Sequence, residues 1–561
     1  MSRAARWLWS TTSVCIAAVV LLPILVVLAS VFMDGDGVFL HLARTRLAEY
    51  SWNTVALVAI VATLSFVLGV TPAWLVSMHR FPGRGLLAWA LILPLAVPGY
   101  LAAYAMTDLL QPAGPLRAIA IGSDGVQTWW PRVRSLPGAA IILSLSLYPY
   151  VYLAARAAFL ALPHSLIDAS RTLGLGPWRT FARVALPLSA PTIGAGLLFV
   201  VMETMADFGV ADYCAVDTFA TGVYRAWTSL GSPAAAGQLA SVLLGAVFLI
   251  VLVATIARGK RRFHTAGART QPPPPASMSG PLSAVAILVC LLPIVGGFVV
   301  PAAWLAILAV DRGDPRAAEV MIGHGRNTFM LASIAACVAS MLAFLLVLAR
   351  RWTRARAPSV AFRTAQLGYA VPGTVLAVGV MTSLVWVDHR LNEATHWLAD
   401  ARPGLLLSGT VVAVLIGYQS RFLAIPTGLL GAAMDRVSPR VDESAQTMGA
   451  SPLRIAAHVH TPALRPAILA ATLLVFVDVC KELPMTLMLR PFGMETLAVR
   501  VYQLASDERL SEAATGALAI IVLGLIPVFV LASSMGRPCT RCAGSRSCRS
   551  TIYRPVRVLQ A

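Results

Sequence analysis

The chain has 561 residues, 58% hydrophobic and only 12% charged, with a mean hydropathy of +0.76. A soluble domain carries about 25% charged residues, so a water-soluble globular fold is excluded and lipid is the solvent of most of the chain. The net charge of +19 is spread over short segments between apolar runs, a membrane-topology pattern rather than a nucleic-acid-binding one.

Runs of about 20 apolar residues read as membrane-crossing helices. Twelve occur, at roughly 10–32, 54–77, 86–106, 138–160, 190–208, 237–257, 281–309, 328–349, 361–386, 405–425, 466–486 and 514–535. The period-two alternation of a membrane barrel is missing. The first run follows Arg3 and Arg6. Its apolar core exceeds the roughly 7–15 residues of a signal peptide, so it is expected to be a retained helix. The run 281–309 is expected to tilt or break near Pro293, and 190–208 and 466–486 carry charges. With the N-terminus cytoplasmic, the basic clusters at Arg258, Lys260, Arg261, Arg262 and at Arg350, Arg351, Arg354, Arg356 all fall inside, as the positive-inside rule requires. Both termini are then cytoplasmic. Cys15, Cys290 and Cys337 lie in apolar runs and are expected to be buried small hydrophobes. Cys539, Cys542 and Cys548 lie in an Arg-rich tail. A lone Cys-x-x-Cys is a poor zinc site, so no metal site is assigned and the tail reads as disordered.

A stretch of about thirty residues occurs twice. Asp168-Ala169-Ser170, Thr172, Gly174, Pro177, Arg179, Pro187 and Pro191 recur as Glu443-Ser444-Ala445, Thr447, Gly449, Pro452, Arg454, Pro462 and Pro466, 275 positions on. The duplication is wider than this segment. Asn53-Thr54 recurs as Asn327-Thr328, Val97-Pro98-Gly99 as Val371-Pro372-Gly373, and Tyr148 has a counterpart in Tyr418. An even number of helices per half gives both halves the same orientation, a parallel repeat about an axis along the membrane normal. The fold expected is an all-α polytopic membrane protein of about twelve helices in two parallel six-helix halves, 1–264 and 281–536. A Pro-rich linker at 265–280, with Pro272-Pro273-Pro274-Pro275, suits a semi-rigid spacer, and a basic tail fills 537–561.

Each repeated segment, 163–176 and 438–451, reads as a short helix. Gly174 or Gly449 ends it in the left-handed conformation, and Pro177 or Pro452 starts the next helix. Asp168 and Glu443 are expected near the start of the short helix, where a carboxylate suits the dipole. A polar helix–turn–helix repeated once per half suggests two equivalent docking surfaces for a soluble partner.

These residues resemble the "EAA" loop of ABC importer permeases: Glu-Ala-Ala, three residues, Gly, then Leu-Pro. Asp168-Ala169-Ser170 with Gly174 and Pro187, and Glu443-Ser444-Ala445 with Gly449 and Pro462, stand at its positions. Aspartate replaces the glutamate of the first copy, and Thr461 replaces the leucine of the second. The resemblance implies that each loop is a coupling helix docking on an ATPase subunit. The stretches from Val477 to Leu510 and from Met202 to Trp227 are similar to fused ferric-iron permeases of binding-protein-dependent importers, although thiamine, sulfate-type and phosphonate permeases share parts of the pattern. The partners so implied are two copies of an ABC ATPase subunit, a periplasmic substrate-binding protein expected to bind ferric iron, and the lipid bilayer of a bacterial inner membrane, with no nucleic acid.

Ionisable residues inside a span default to a functional reading. Five cluster: Glu203, Asp207, Asp478, Lys481 and Glu482. Glu203 and Asp207 are expected on one helix face, and Asp478 and Glu482 on the equivalent face of the other half. At about 1.5 Å per residue, Glu203 lies roughly 18 Å along its helix from Pro191, beyond mid-membrane. They form either a path or gate for a hard cation, for which carboxylate oxygens are suited, or a structural network with Lys481 as counter-ion. Tyr148, Tyr150 and Tyr152 offer phenolate oxygens or, as the plainer reading, interfacial anchoring.

The chain has two lysines, Lys260 and Lys481, neither followed by Ser or Thr, so it has no Gly-Lys-Ser/Thr phosphate loop. It needs no cofactor of its own; ATP would be hydrolysed on a separate subunit, and this chain is a transport subunit, not an enzyme. A gradient-driven transporter of twelve helices would explain the parallel halves and buried charges but not the two registered segments, and an intramembrane enzyme lacks a nucleophile–base constellation. Replacing Gly174 and Gly449 by valine is expected to abolish co-purification of the ATPase while leaving membrane insertion intact. A gradient-driven transporter would be indifferent to both changes.

Overall fold

The computed structural model describes residues 3–33, 37–111, 114–116, 130–258, 276–311, 315–353, 355–400 and 404–535. Lys260, Arg261, Arg262, Arg354, most of the linker at 265–280 and the tail with Cys539, Cys542 and Cys548 lie outside them. Among the described residues nine helices are long and apolar enough to cross a membrane, and twelve spans result when each of three bent helix pairs counts as one. In chain order these are α1 (Trp7–Phe32), α2 (Leu47–Met78), α3 (Arg84–Ala96 with Gly99–Leu110), α4 (Leu136–Leu160), α5 (Pro177–Ala206) and α6 (Pro233–Ile256). Then come α7 (Pro281–Asp311), α8 (Met321–Trp352), α9 (Arg356–Ala370 with Gly373–Trp397), α10 (Val411–Phe422 with Ala424–Met434), α11 (Pro452–Cys480) and α12 (Leu510–Val530). All twelve apolar runs are thus accounted for. Their outer faces are apolar side chains left for lipid, as Leu21, Leu22, Leu25 and Leu28 are on α1.

Three of the runs are not straight rods. The repeated Val-Pro-Gly does not sit inside a helix but marks a break: α3 bends by 91° and α9 by 118°. Pro98 and Pro372 take extended ψ angles of 141° and 142° as N-caps, and new helices start at Gly99 and Gly373. Proline cannot supply the missing donor, and it forces its predecessor out of the helical region.

A second proline effect recurs. Wide π turns cover Phe181–Ala185, Ala456–His460 and Val295–Val299. Each ends two residues before a proline: Pro187, Pro462 and Pro301. A proline ring clashes with the carbonyl four residues back, and the wider turn moves that carbonyl aside without ending the helix. The feature of α7 is therefore this turn, set by Pro301; the helix does not break at Pro293.

Packing does not follow the sequence halves. One apolar core joins Leu57 through Val216 with Ala286 through Met321 and Leu483 through Val528. The other joins Ile16 through Tyr50 and Met205 through Val247 with Leu331 through Leu489. The first helix of each half has crossed over: α1 packs on α9 and α10, and α7 packs on α3. Ser420 donates to the Val19 carbonyl (2.9 Å) and the Trp304 indole donates to Asp108 (2.9 Å), one polar tie for each crossing. A parallel pairing of His79–Arg80 with Ala276–Ser277 ties the chain leaving the linker to the end of α2.

The repeated Asn-Thr pair has a clear task. Asn53 donates to the Asp217 carbonyl and Thr54 accepts from Phe219, while Asn327 and Thr328 do the same for Glu495 and Leu497. They fasten two short helices, Phe219–Thr228 and Leu497–Ser506, at the end of the bundle away from the repeated segments. Tyr148 and Tyr418 are not equivalent. Helices α4 and α10 start at Leu136 and Val411, 275 apart, which puts the tyrosines out of register. Tyr148 donates to the Leu91 carbonyl and Tyr418 pairs with Thr486. Cys290 is buried as expected, but Cys15 and Cys337 are on exposed faces.

One loop hangs on a single carboxylate. Asp388, fully buried, accepts from the backbone of Leu406, Leu407 and Ser408 and from the Ser408 hydroxyl, at 2.5–3.2 Å. Asp388→Ala leaves these donors without an acceptor, which costs about 1–3 kcal/mol for a buried group. A lower unfolding temperature in detergent, with faster proteolysis near Leu406, is the expected result.

Candidate functional site

The two repeated segments fold alike. Short helices run His164–Thr172 and Pro439–Thr447. Gly174 (φ 76°) and Gly449 (φ 79°) then turn left-handed, as expected. Leu175 donates to the Ser170 carbonyl and Ala450 to the Ala445 carbonyl, at 3.0 and 3.1 Å. These are the six-to-one bonds of a Schellman terminus, which only a residue free to adopt positive φ completes without strain. The helices that restart at Pro177 and Pro452 run straight through the π turns into α5 and α11, so the second arm of each knob is the base of a membrane helix. Asp168 and Glu443 are the fifth residues of their helices, not first-turn residues; Asp442 holds that place in the second copy.

Ala169, Glu443 and Ser444 are exposed, Asp168 and Ala445 half-buried, and Ser170 is buried against Thr180 at 3.1 Å. The more telling residues are apolar, and sequence reasoning passed over them. Leu166 and Val441 are each 40% exposed, Leu173 and Met448 81% and 69%, and Trp178 and Leu453 both 74%. Each pair is 275 positions apart. Large apolar side chains exposed at three registered places in two copies form the kind of patch found at interaction sites. The signal was present in the sequence as apolar residues flanking both glycines.

The attachments of the two segments differ. Asp442 is buried between Arg351 (2.9 Å) and His460 (3.1 Å). Ile167 and Ala185 stand at the equivalent positions of the first copy, both buried.

All five intramembrane charges line one cavity of about 160 Å³. They do not lie on continuous helix faces. Helix α5 ends at Ala206, and Asp207 is its extended C-cap; α11 ends at Cys480, and Lys481 is its C-cap. The expected i,i+4 faces are therefore interrupted, and the four carboxylates divide into two kinds. Asp207 accepts from the N–H groups of Val210 and Ala211 at 3.0 and 3.1 Å. Glu482 accepts from Met485 and Thr486 N–H at 3.0 and 2.9 Å and from the Thr486 hydroxyl at 2.7 Å. Both serve the free donors of a following helix start. Glu203 and Asp478 make no such bonds. Asp478 pairs with Lys481 at 2.8 Å.

A sixth charge joins them. Arg421, from α10, lies 3.8 Å from Glu203 and 3.7 Å from Glu482, bridging residues from the two halves of the sequence. Gly373 makes room: a Cβ there would meet the Arg421 guanidinium at 2.8 Å and Glu482 at 3.2 Å, which explains the glycine of the second Val-Pro-Gly. The signal for Arg421 was an arginine inside the run 405–425, a rarity in its own right. Of the three tyrosines, Tyr148 and Tyr152 donate to the Leu91 and Ala88 carbonyls in the core, and only Tyr150 lines the cavity. None is an interfacial anchor. Beyond this cavity, at the end opposite the repeated segments, Tyr502 donates to Asp212 across the sequence halves at 2.7 Å; burial first, then the Asp212 charge, hold that phenol above its usual range.

Residues 65–263 match the family described as "Binding-protein-dependent transport system inner membrane component". A spermidine/putrescine transport system permease protein of Haemophilus influenzae is 30% identical over 34% of this chain and 71% of its own length. The chain belongs to this family. An Fe(3+)-transport system permease protein, also of Haemophilus influenzae, is 27% identical over 87% of this chain and 90% of its own, so the similarity runs through both copies of the repeat. A chain of a bacterial alginate ABC transporter, solved with its pentasaccharide-bound periplasmic protein, aligns over 46% of this chain and 94% of its own, at 15% identity and a TM-score of 0.37. This permease is thus a multi-pass component of the inner membrane.

Removing the two capping carboxylates is expected to damage the fold rather than selectivity. Asp207→Ala should cost about 0.5–2 kcal/mol, the usual effect of a lost N-cap. Glu482→Ala should cost more, since it strips three donors and one partner of Arg421. Thermal unfolding in detergent measures both; equal, negligible shifts would contradict the capping role.

Proposed function

We propose that this permease is the membrane subunit of an ATP-driven importer of ferric iron, with both termini and both repeated segments in the cytoplasm. In this reading 1–264 and 281–536 are two six-helix halves joined by the linker at 265–280, one chain standing for two permease subunits. Two copies of a separate ATPase subunit dock on the segments, and a periplasmic binding protein delivers the cargo. This chain hydrolyses nothing and holds no cofactor; ATP acts in the partner.

The observation that carries the docking is the registered set of exposed apolar residues, Leu166, Leu173 and Trp178 with Val441, Met448 and Leu453. Asp168, Gly174, Glu443 and Gly449 shape the helix and turn that present them. Because each segment continues into α5 or α11, a force on it reaches Glu203 or Asp478 through unbroken helix. ATP shifts the equilibrium only if the partner binds the two states unequally; a closing ATPase pair that draws the segments together supplies that difference.

Iron is supported by the relative that matches both copies of the repeat and by a cavity with four carboxylates and two basic residues. A carboxylate excess disfavours oxyanions, although molybdenum and sulfate permeases are among the relatives of part of the chain. Thiamine, phosphonate and polyamine cargoes are the competing readings, and a gradient-driven mechanism leaves the docking segments without a purpose.

The test is ATP hydrolysis by the reconstituted complex with its binding protein loaded with ferric iron, then with thiamine or spermidine, then empty. Stimulation by the iron-loaded form alone is expected. Trp178→Asp with Leu453→Asp should reduce bound ATPase at least about tenfold, since a charge forced into an apolar contact is costly. Stimulation by another cargo alone would replace iron; an undiminished ATPase complex in the double variant would overturn the docking surface.

A further inference from the structure

A second cavity, of about 370 Å³, lies nearer the docking segments, lined by Ala424, Ile425 and Leu474. It shares Leu95, Tyr150, Tyr369, Asp478 and Lys481 with the first. These residues line both cavities, which therefore adjoin at them. Tyr150 and Tyr369 flank the Phe199 ring, with centroids 4.4 and 5.5 Å away. Both tyrosines line the first cavity together with Glu203 and Asp478. We infer that Glu203, Asp478, Tyr150 and Tyr369 form a transient oxygen-ligand site for the ferric ion, in which Arg421 and Lys481 occupy the place of the metal between turnovers. The inference rests on the iron reading above and names the ligands of that cargo.

Three observations select these residues. First, of the four carboxylates only Glu203 and Asp478 are free of helix capping, and they are equivalent positions 275 apart. Second, Arg421 is loosely committed, whereas Lys481 holds Asp478 at 2.8 Å. Arg421 stands 3.7 and 3.8 Å from its partners, beyond the roughly 2.7–2.9 Å of a charge-assisted hydrogen bond. Its Nε, on a residue 9% exposed, has no partner. Third, Ser146, 5% exposed and lining the first cavity, has a hydroxyl with no partner. A buried hydroxyl without a partner is rare in a finished core and is explained where a ligand or its water completes it.

The chemistry is consistent. Two carboxylates and two phenols are hard oxygen donors for a small, highly charged ion, and tyrosine is a ligand to haem iron. Attraction scales with charge, so a trivalent ion competes about threefold more strongly for each carboxylate than a guanidinium or ammonium at the same distance. On binding, each phenol oxygen gives up its proton to water as it coordinates, Arg421 keeps Glu482, and Lys481 leaves Asp478. The iron stays ferric, and no electron moves. When the ion departs, the basic side chains return and the phenols take up protons, so the carboxylates are never bare in lipid.

The test uses the complete permease–ATPase complex in nanodiscs, with ferric nitrilotriacetate as probe and phenolate-to-iron charge-transfer absorption as readout. Uptake of radioactive iron from the loaded binding protein is measured in parallel. The band is expected in the unaltered complex and in Tyr148→Phe, weaker in Tyr150→Phe or Tyr369→Phe, and absent when both are changed. Glu203→Gln and Asp478→Asn should weaken iron binding by at least about tenfold, the usual cost of disturbing a metal site. Arg421→Gln should hold iron more tightly and release it more slowly, which no structural role of these residues predicts. Iron uptake without the band, or a band untouched by the double tyrosine change, overturns the site and leaves the iron reading standing. No uptake of iron by the unaltered complex overturns both.

Discussion

A carboxylate inside a bilayer must be matched by donors or by a cation, and the centre of this permease is organised by that constraint. The match is made in two ways. Asp207 and Glu482 are matched by backbone N–H groups, so each begins a new short helix where a membrane helix has ended. Glu203 and Asp478 are matched by Arg421 and Lys481. The first solution is rigid, because several donors converge on one group. The second is exchangeable, because one cation can be replaced by another. A desolvated ion pair adds little net stability over an apolar pair but is expensive to break by removing one member. Such a pair is best explained by what can take a member's place.

The prolines make the rest mechanically coherent. Each helix that joins a repeated segment at one end to the charged cavity at the other is continuous, although Pro187 and Pro462 fall within its first turns. The π turns Phe181–Ala185 and Ala456–His460 absorb both without breaking the rod. At Pro98 and Pro372 the opposite outcome prevails: no wide turn precedes them, and the chain bends sharply. The same residue thus yields a lever in one place and a hinge in another. The two levers are also seated differently. The second is held by the buried Arg351–Asp442–His460 contacts, while the first rests on Ile167 and Ala185. A polar seat has directional bonds and an apolar seat tolerates sliding, so the two repeated segments are not mechanically equivalent.

Much of this was legible in the sequence. The twelve apolar runs, the glycine-terminated segments and the cluster of intramembrane charges follow from composition, periodicity and register. Asp388 and Arg421 were not singled out, because each lies within or beside an apolar run and its partners are distant in sequence. Helix ends were misjudged where charges stand at or beyond them: Asp207 and Glu482 look like members of a face, but Asp207 is a C-cap and Glu482 lies past the cap Lys481. The equivalence of Tyr148 and Tyr418 failed because two tyrosines close to the expected spacing were paired, while the helix starts keep a different register. The crossing of α1 and α7 leaves no mark in periodicity, since an apolar helix reads the same whichever neighbour it packs against.

That crossing bears on how the halves move. If each half were a self-contained bundle, opening would require only separation at one interface. Here α1 is tied to Val19–Ser420 and α7 to Asp108–Trp304, and each apolar core mixes both halves. Pulling the sequence halves apart would therefore tear both cores. Motion that keeps the cores intact must instead pivot one core against the other. Leu95 packs with one core and Tyr369 with the other, and the contact at 3.8 Å between Glu203 and Arg421 joins the two halves of the sequence. A contact of that length carries little directional bonding, so it resists a pivot far less than the packed cores do. The weak contact is thus in the charged cavity, and the strong ones are in the packed cores.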